Sequence, residues 1–276
     1  MTTAVIAPAA QAQPATYREA RFADVLRSEW TKVRSVPSTL WTLLAATVLG
    51  IGLSALFSGL ASHSYKTGSH DVRTNWDATA VSTSGLGIAQ LAIGVLGALV
   101  ISSEYSTHAI RTSLTAVPHR GRLLTAKATV IAAIAFVTGE IMAFIAFFVG
   151  QALISGDAPT AALGDPHVLR ALVGSGLYLT LIGLLGIGLG TLLRSAAGAI
   201  TALVALLYVL PGLAHALPSS IQNVINKIWP SNAGQQVTTV VRGDHTLAAW
   251  AGFGVMCAFV ALVISAAYTR LSHRDA

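Results

Sequence analysis

The sequence predicts an all-α membrane protein with six transmembrane helices, and three observations carry that prediction. Hydrophobic residues fill 54% of the 276 positions and charged residues only 10%, against roughly 25% charged in a soluble domain. Six apolar runs reach the ~20 residues that a helix needs to cross ~30 Å of hydrocarbon. The basic residues are shared unevenly between the connections. The runs cover residues 39–60, 83–103, 128–154, 171–193, 196–217 and 247–269. Residues 1–16, rich in Ala, Pro and Gln, read as a disordered tail, 17–36 as an interfacial helix and 37–276 as the six-span domain.

Along residues 21–34, Phe22, Val25, Leu26, Trp30 and Val33 form one apolar stripe, with Arg21, Asp24, Arg27, Lys32 and Arg34 opposite. That is the pattern of a helix lying in the membrane interface. Pro37 breaks the chain, and Ser38 or Thr39 can cap the first span. The N-terminus lacks the basic start and apolar core of a cleaved signal, so the first span is expected to remain. Residues 104–127 form a polar, basic island between spans two and three. Within it Ser106 or Thr107 can cap a short helix whose Ile110, Leu114 and Val117 fall at i, i+4 and i+7. Pro118 ends that helix.

The fourth and fifth runs are separated only by Arg194 and Ser195. One continuous helix would be far too long for a bilayer, so Arg194 marks a tight turn. Gly176, Gly183 and Gly190 recur every seven residues, with Gly186 close by. Such a stripe lets helices approach closely in lipid; glycines merely scattered through a Gly-rich chain give the same pattern. Ile221, Val224, Ile225, Ile228 and Trp229 mark an amphipathic helix that ends at Pro230. Trp229 suits an aromatic belt at the headgroup level.

Six spans place both termini on one side. Of the 17 Lys and Arg residues, twelve then share that side and five lie on the other. This positive-inside bias predicts a multi-pass protein of the cytoplasmic membrane with both termini in the cytoplasm. The net charge of +6 is thereby explained by topology, and no nucleic-acid partner is expected. There is no Gly-Lys dipeptide to build a phosphate-cradling loop, and no His-Glu-x-x-His, Cys-x-x-Cys or Gly-x-Ser-x-Gly motif, so the chain is not expected to be an enzyme. His63, His70, Asp71 and Asp77 match no compact metal site and read as solvated loop residues. Cys257 is the only cysteine and forms no intrachain disulfide. Glu140 is the one ionisable residue deep in a span, where a charge costs ~2.5–3.5 kcal/mol. It either lines a transport path or is structural, protonated or paired with a Thr or Gln of a neighbouring span such as Gln90.

The order of elements is distinctive. LRSEWTKVRSVPST precedes span one, SEYSTHAIRTSLTAVPHRGRLLTAK joins spans two and three, and WPSNAG precedes the last span. From about residue 22 onward the chain resembles the permease subunit of type-2 ATP-binding-cassette (ABC) exporters. Glu104, Ile110, Arg111, Leu114, Pro118, Arg120 and Lys127 sit where that family's island places its acidic residue, apolar and basic helix, proline, basic turn and lysine. Thr107-His108 stands in place of the usual Gly-Thr pair. The resemblance implies that the island is a cytoplasmic coupling helix, with Glu104, Ile110, Arg111, Leu114, Val117, Pro118 and Arg120 meeting a separate cytoplasmic ATPase subunit. The helix carrying Phe22, Leu26, Trp30, Lys32 and Arg34 is similar to the family's connecting helix. The one carrying Ile225, Trp229 and Pro230 looks like its outer re-entrant element.

It further implies half a transporter: a second permease copy, the same or related, would pair with this chain in the lipid bilayer. This chain would bind no cofactor itself, ATP and Mg being held by the ATPase, and the assembly would export a substrate along a path near Glu140 and Gln90. Two other readings stand beside it. One is a six-span carrier driven by an ion gradient, a class that usually shows internal repeats, broken helices and several intramembrane charges. The other is a membrane scaffold or immunity protein that transports nothing.

Overall fold

The computed structural model describes residues 21–106, 120–214, 216–243 and 246–273. The regular elements among the described residues are all helical. Helix α1 (Phe22–Ser35) begins where the Arg21 backbone N–H donates to the Asp24 carboxylate at 3.2 Å, which satisfies one of the free donors at a helix start. Pro37 then opens α2 (Pro37–Thr67), a position where its missing N–H costs nothing. Two short helices, α3 (His70–Thr74) and α4 (Ala78–Ser82), lead into α5 (Leu86–Ser106). After the island come α6 (Arg120–Leu153), α7 (Val168–Leu193) and α8 (Ala196–Ala214). The chain closes with α9 (Ser219–Ile228), α10 (Pro230–Gln235), a 3-10 turn (Gln236–Thr238) and α11 (Ala249–His273).

Six of these helices, α2, α5, α6, α7, α8 and α11, are long and apolar enough to cross a membrane. The 34 residues of α6 reach ~50 Å at 1.5 Å per residue, so this helix extends well beyond the hydrocarbon. At the centre stands α7. In its apolar window 78% of residues are buried, against 22% in α2 and 17% in α11. It packs on α5, α6 and α11.

The glycines of α7 make this packing possible, and they serve two neighbours. A Cβ on Gly97 of α5 would collide with the Gly183 carbonyl, and one on Gly186 would collide with the Gly94 carbonyl. A Cβ on Gly176 would instead strike the Glu140 side chain of α6. The stripe is thus an intramolecular seam. At its end Arg194 turns the chain in the left-handed region, φ 52°, and its N–H bonds the Gly190 carbonyl at 3.0 Å. The Ser195 hydroxyl oxygen then accepts from the Gly198 N–H at 3.3 Å and caps α8.

Helix α8 contains one wide π turn, Ala205–Val209, just ahead of Pro211. Proline brings no N–H to the ladder, and such bulges leave carbonyls for other donors. Here the Trp229 indole donates to the Leu206 carbonyl at 2.9 Å. Trp229 is half-buried beside Leu207, Pro230 and Met256. Helix α9 itself buries no residue and leaves Ile221, Val224 and Ile228 about half exposed, an apolar face suited to lipid.

The connections at the far end of the bundle from α1 are tied down by side chains. Trp76 donates its indole N–H to the Pro159 carbonyl at 2.8 Å, and Gln151 accepts the Ala161 N–H at 2.8 Å. Asp77, expected to be a solvated loop residue, is structural. It caps α4 through the Ala80 N–H at 2.9 Å and accepts the N–H groups of Val240 and Val241 at 2.7 and 2.8 Å.

Candidate functional site

The buried face of α1 holds Val25, Glu29 and Val33, spaced by four residues. This face is rotated away from the predicted apolar stripe, since Phe22 and Trp30 are 42% and 49% exposed. The reason is electrostatic. Glu29, only 2% exposed, reaches Lys127 near the start of α6, whose Nζ lies 2.6 Å from Glu29 Oε2 and 2.7 Å from Glu104 Oε1. Lys127 is itself 1% exposed. Lys32 closes the figure from α1, with Nζ at 2.7 Å from Glu29 Oε1 and 3.0 Å from Glu104 Oε1.

Four formal charges thus alternate around a ring, Glu29–Lys127–Glu104–Lys32, and cancel. An isolated buried ion would carry a desolvation penalty of several kcal/mol; a closed set with each charge doubly paired offsets it. Ile101, Leu123, Ala126 and Val25 form the apolar jacket around the ring, with Leu26 and Tyr105 at its edge. Burial alone would lower the Lys32 ammonium, but hydrogen bonds and charges from Glu104 and Glu29 outweigh it and hold Lys32 above the usual 10.5. Beside the ring, the Arg194 guanidinium lies 5.4 Å above the Tyr105 ring centre, a cation–π contact. A cavity of about 730 Å³ between α1, α2 and α5 borders the ring and continues over Val36, Thr39, Leu96 and Leu99.

Of the predicted coupling residues, Glu104 is in the ring. Ile110, Arg111, Leu114, Val117 and Pro118 lie outside the described residues, and Arg120 is described as the first residue of α6. The ring joins α1 to both roots of the island: Glu104 sits in the last turn of α5 and Lys127 in the third turn of α6. Of the α1 candidates, Lys32 enters the ring and Leu26 packs at its jacket. Arg34 and Trp30 line a second, more apolar cavity of about 300 Å³ with Leu40, Ile134 and Val137. Glu29 was missed by sequence reasoning, although its place midway between Val25 and Val33 was the available signal.

The two residues assigned to a transport path do not meet. Glu140 rests against Gly176 of α7, with Oε1 buried and hydrogen-bonded to nothing. Gln90 accepts from the Tyr178 hydroxyl at 2.9 Å and donates to the Gly87 carbonyl at 2.8 Å. Gly176 and Tyr178 are two residues apart, or ~200° around α7, so Glu140 and Gln90 lie on opposite sides of that helix. The pairing of the two considered from the sequence does not occur. Among the described residues no three His, Cys, Asp or Glu side chains cluster to hold a metal ion.

A family model described as ABC-2 family transporter protein matches residues 25–212, from α1 through α8 and including all four ring residues. The chain belongs to the ABC-2 transporter family. Comparison with curated proteins finds no match. Membership makes the six apolar helices those of a multi-pass ABC-2 membrane domain, a permease-type subunit. Membrane proteins of the ABC-2 family typically partner with an ATPase subunit. The charge ring lies at the end of the ABC-2 domain where α5 gives way to the island and α6 resumes.

Proposed function

We propose that this chain is the permease subunit of an ABC exporter, moving a substrate across the cytoplasmic membrane on ATP hydrolysed by a separate ATPase. The charge ring is the observation that carries this reading. A segment that transmits force must be rooted stiffly in the elements it moves. Here α1, α5 and α6 are locked together at the island's two roots, so a push on the island reaches three helices at once. The island, through Ile110, Arg111, Leu114, Val117, Pro118 and Arg120, is the docking knob, and α1 flanks it. ATP and Mg belong to the ATPase, and two permease copies complete the transporter. Both termini lie in the cytoplasm, with α9 along the outer leaflet.

Leu114→Asp places a charge in the docking face and is expected to release the ATPase from the detergent-purified complex. If the ATPase co-purifies undiminished, with normal stimulated turnover, the interface is elsewhere. Failure of any ATPase to co-purify with the native chain would favour the ion-driven carrier or the scaffold. Glu140→Gln is expected to abolish export with membrane insertion intact; full export by that variant takes Glu140 out of the transport path.

A further inference from the structure

The end of the bundle away from the charge ring holds a small polar chamber under a strap. The strap is the 3-10 turn Gln236–Thr238, the extended Thr239 that follows it and the bend at Val240 and Val241. Two side chains of opposite charge grip it. Asp77 Oδ2 accepts the N–H groups of Val240 and Val241 at 2.7 and 2.8 Å. Arg170, in the first turn of α7, donates Nη2 to the Thr239 carbonyl at 2.8 Å, with longer contacts to the carbonyls of Gln236 and Val237. The donors of the strap go to the anion and its acceptors to the cation, and such charge-assisted bonds are the stronger kind. Val237 is fully buried. Its carbonyl lies 2.6 Å from where a Cβ on residue 174 would stand, so only Gly174 allows this seat.

Beneath the strap lies a cavity of about 150 Å³, room for about five waters at ~30 Å³ each. Thr83, Ser84, Ser175, Tyr178, Gln235 and Thr238 line it, and no charged side chain does. The protons of the lining hydroxyls are already engaged. Thr83, Ser84, Ser175 and Thr238 donate to the carbonyls of Thr79, Val81, Ala171 and Gln235 at 2.8–2.9 Å, and Tyr178 donates to Gln90. Each hydroxyl oxygen keeps a lone pair. The lining hydroxyls therefore offer acceptors, and the Gln235 amide adds a group that can both accept and donate.

We propose that this chamber binds a neutral group bearing hydrogen-bond donors, a hydroxyl or an amide N–H, and that the strap latched by Asp77 and Arg170 is its lid. A charged group is disfavoured, because nothing in the lining compensates its desolvation. Opening frees backbone groups that water can satisfy at once, so the open state is accessible. The proposal goes beyond the exporter reading and does not depend on it.

The lone native cysteine makes labelling a clean test. In a Cys257→Ala background, Ser175→Cys places a thiol in the chamber at a position only 3% exposed. An impermeant maleimide applied to right-side-out vesicles is expected to label it slowly. With Arg170→Gln the rate should rise about tenfold, the effect of losing one charge-assisted bond. Asp77→Asn retains a good capping residue for α4 while weakening the hold on Val240 and Val241, and should act in the same direction. Acetamide should slow labelling of the Arg170→Gln protein, and N,N-dimethylacetamide, which lacks N–H groups, should not. An unchanged rate in both latch variants overturns the lid. Protection by both amides, or by neither, overturns the assigned ligand chemistry. A tenfold ratio seen only in inverted vesicles supports the lid and overturns the orientation instead.

Discussion

Lys127 is the residue on which the charge ring closes. It is an ammonium with almost no exposed surface, held by two carboxylates at 2.6 and 2.7 Å. Removing one member of such a set strands the others, at a cost of ~3–5 kcal/mol. Lys127→Met should therefore lower the thermal midpoint in detergent sharply, whereas Lys66→Met, at an exposed position, should leave it nearly unchanged. In a double-mutant cycle, Glu29→Gln with Lys127→Met should lose less than the two singles together, by at least about 1 kcal/mol. Equal effects of Lys127→Met and Lys66→Met would show that the ring bears no load. The pH dependence follows from Lys32. Its folded pKa is raised, so its contribution is full below the unfolded value of 10.5 and is lost as pH rises through the folded one. Stability attributable to Lys32 should be flat over about pH 6 to 9 and decline only at strongly alkaline pH. Lys32→Met should remove that alkaline decline; a decline in the neutral range that depends on Lys32 would contradict the geometry. None of this was legible from polarity alone. The sequence reading sorted α1 into an apolar stripe and a charged face, and a buried glutamate violates that sorting because its partner arrives from α6, 98 residues away.

At the scale of elements, the spans were legible because apolar length and the absence of charge are one-dimensional properties. Their packing was less so. The seven-residue glycine stripe was visible, but which helix each glycine faces depends on how α7 crosses α5 and α6. Gly97 and Gly52 provide the contrast that tests this. A Cβ on Gly97 meets the Gly183 backbone, whereas one on Gly52 meets nothing within 4 Å. Gly97→Ala should cost ~1–3 kcal/mol or more as overpacking and lower the yield of monodisperse protein on size-exclusion chromatography; Gly52→Ala should behave as the native chain does. Similar yields for the two would refute the close α5–α7 seam. The joint between α8 and α9 was invisible in the sequence for another reason. Trp229 and Pro230 signalled a helix end, but the acceptor for the indole is a carbonyl released by a π turn 23 residues earlier. Trp229→Phe keeps the ring and deletes that bond. It should cost ~1–3 kcal/mol, since a carbonyl is left unsatisfied in an apolar setting, and should speed amide exchange in Ala205–Val209 above all. Uniform exchange across α8 would mean that the indole does not hold the turn.

The molecule as a whole has two polar ends joined by an apolar bundle, and the ends differ in kind. One end carries a ring of full charges that fixes α1, α5 and α6. The other carries backbone groups held by two separated charges, Asp77 and Arg170, over an uncharged chamber. The first is suited to receiving force, because breaking it strands ions; the second is suited to giving way, because what it releases water can satisfy. This asymmetry has meaning only with a definite orientation in the membrane. In the proposed topology the ring faces the cytoplasm, because the positive-inside bias assigns that side to the island between its two roots, which holds Arg111, Arg120 and Arg122, while Lys66 and Arg73 lie toward the other end. In a Cys257→Ala background a cysteine at Thr115, within the island, should react with an impermeant maleimide only in inverted vesicles. One at Gly68, the cap that ends α2, should react only in right-side-out vesicles. Reversal of both results would put the island outside the cell, where no ATPase could meet it. The charge ring would then be an anchor for an external helix, and the force-bearing role assigned to it would be lost while the fold stood unchanged.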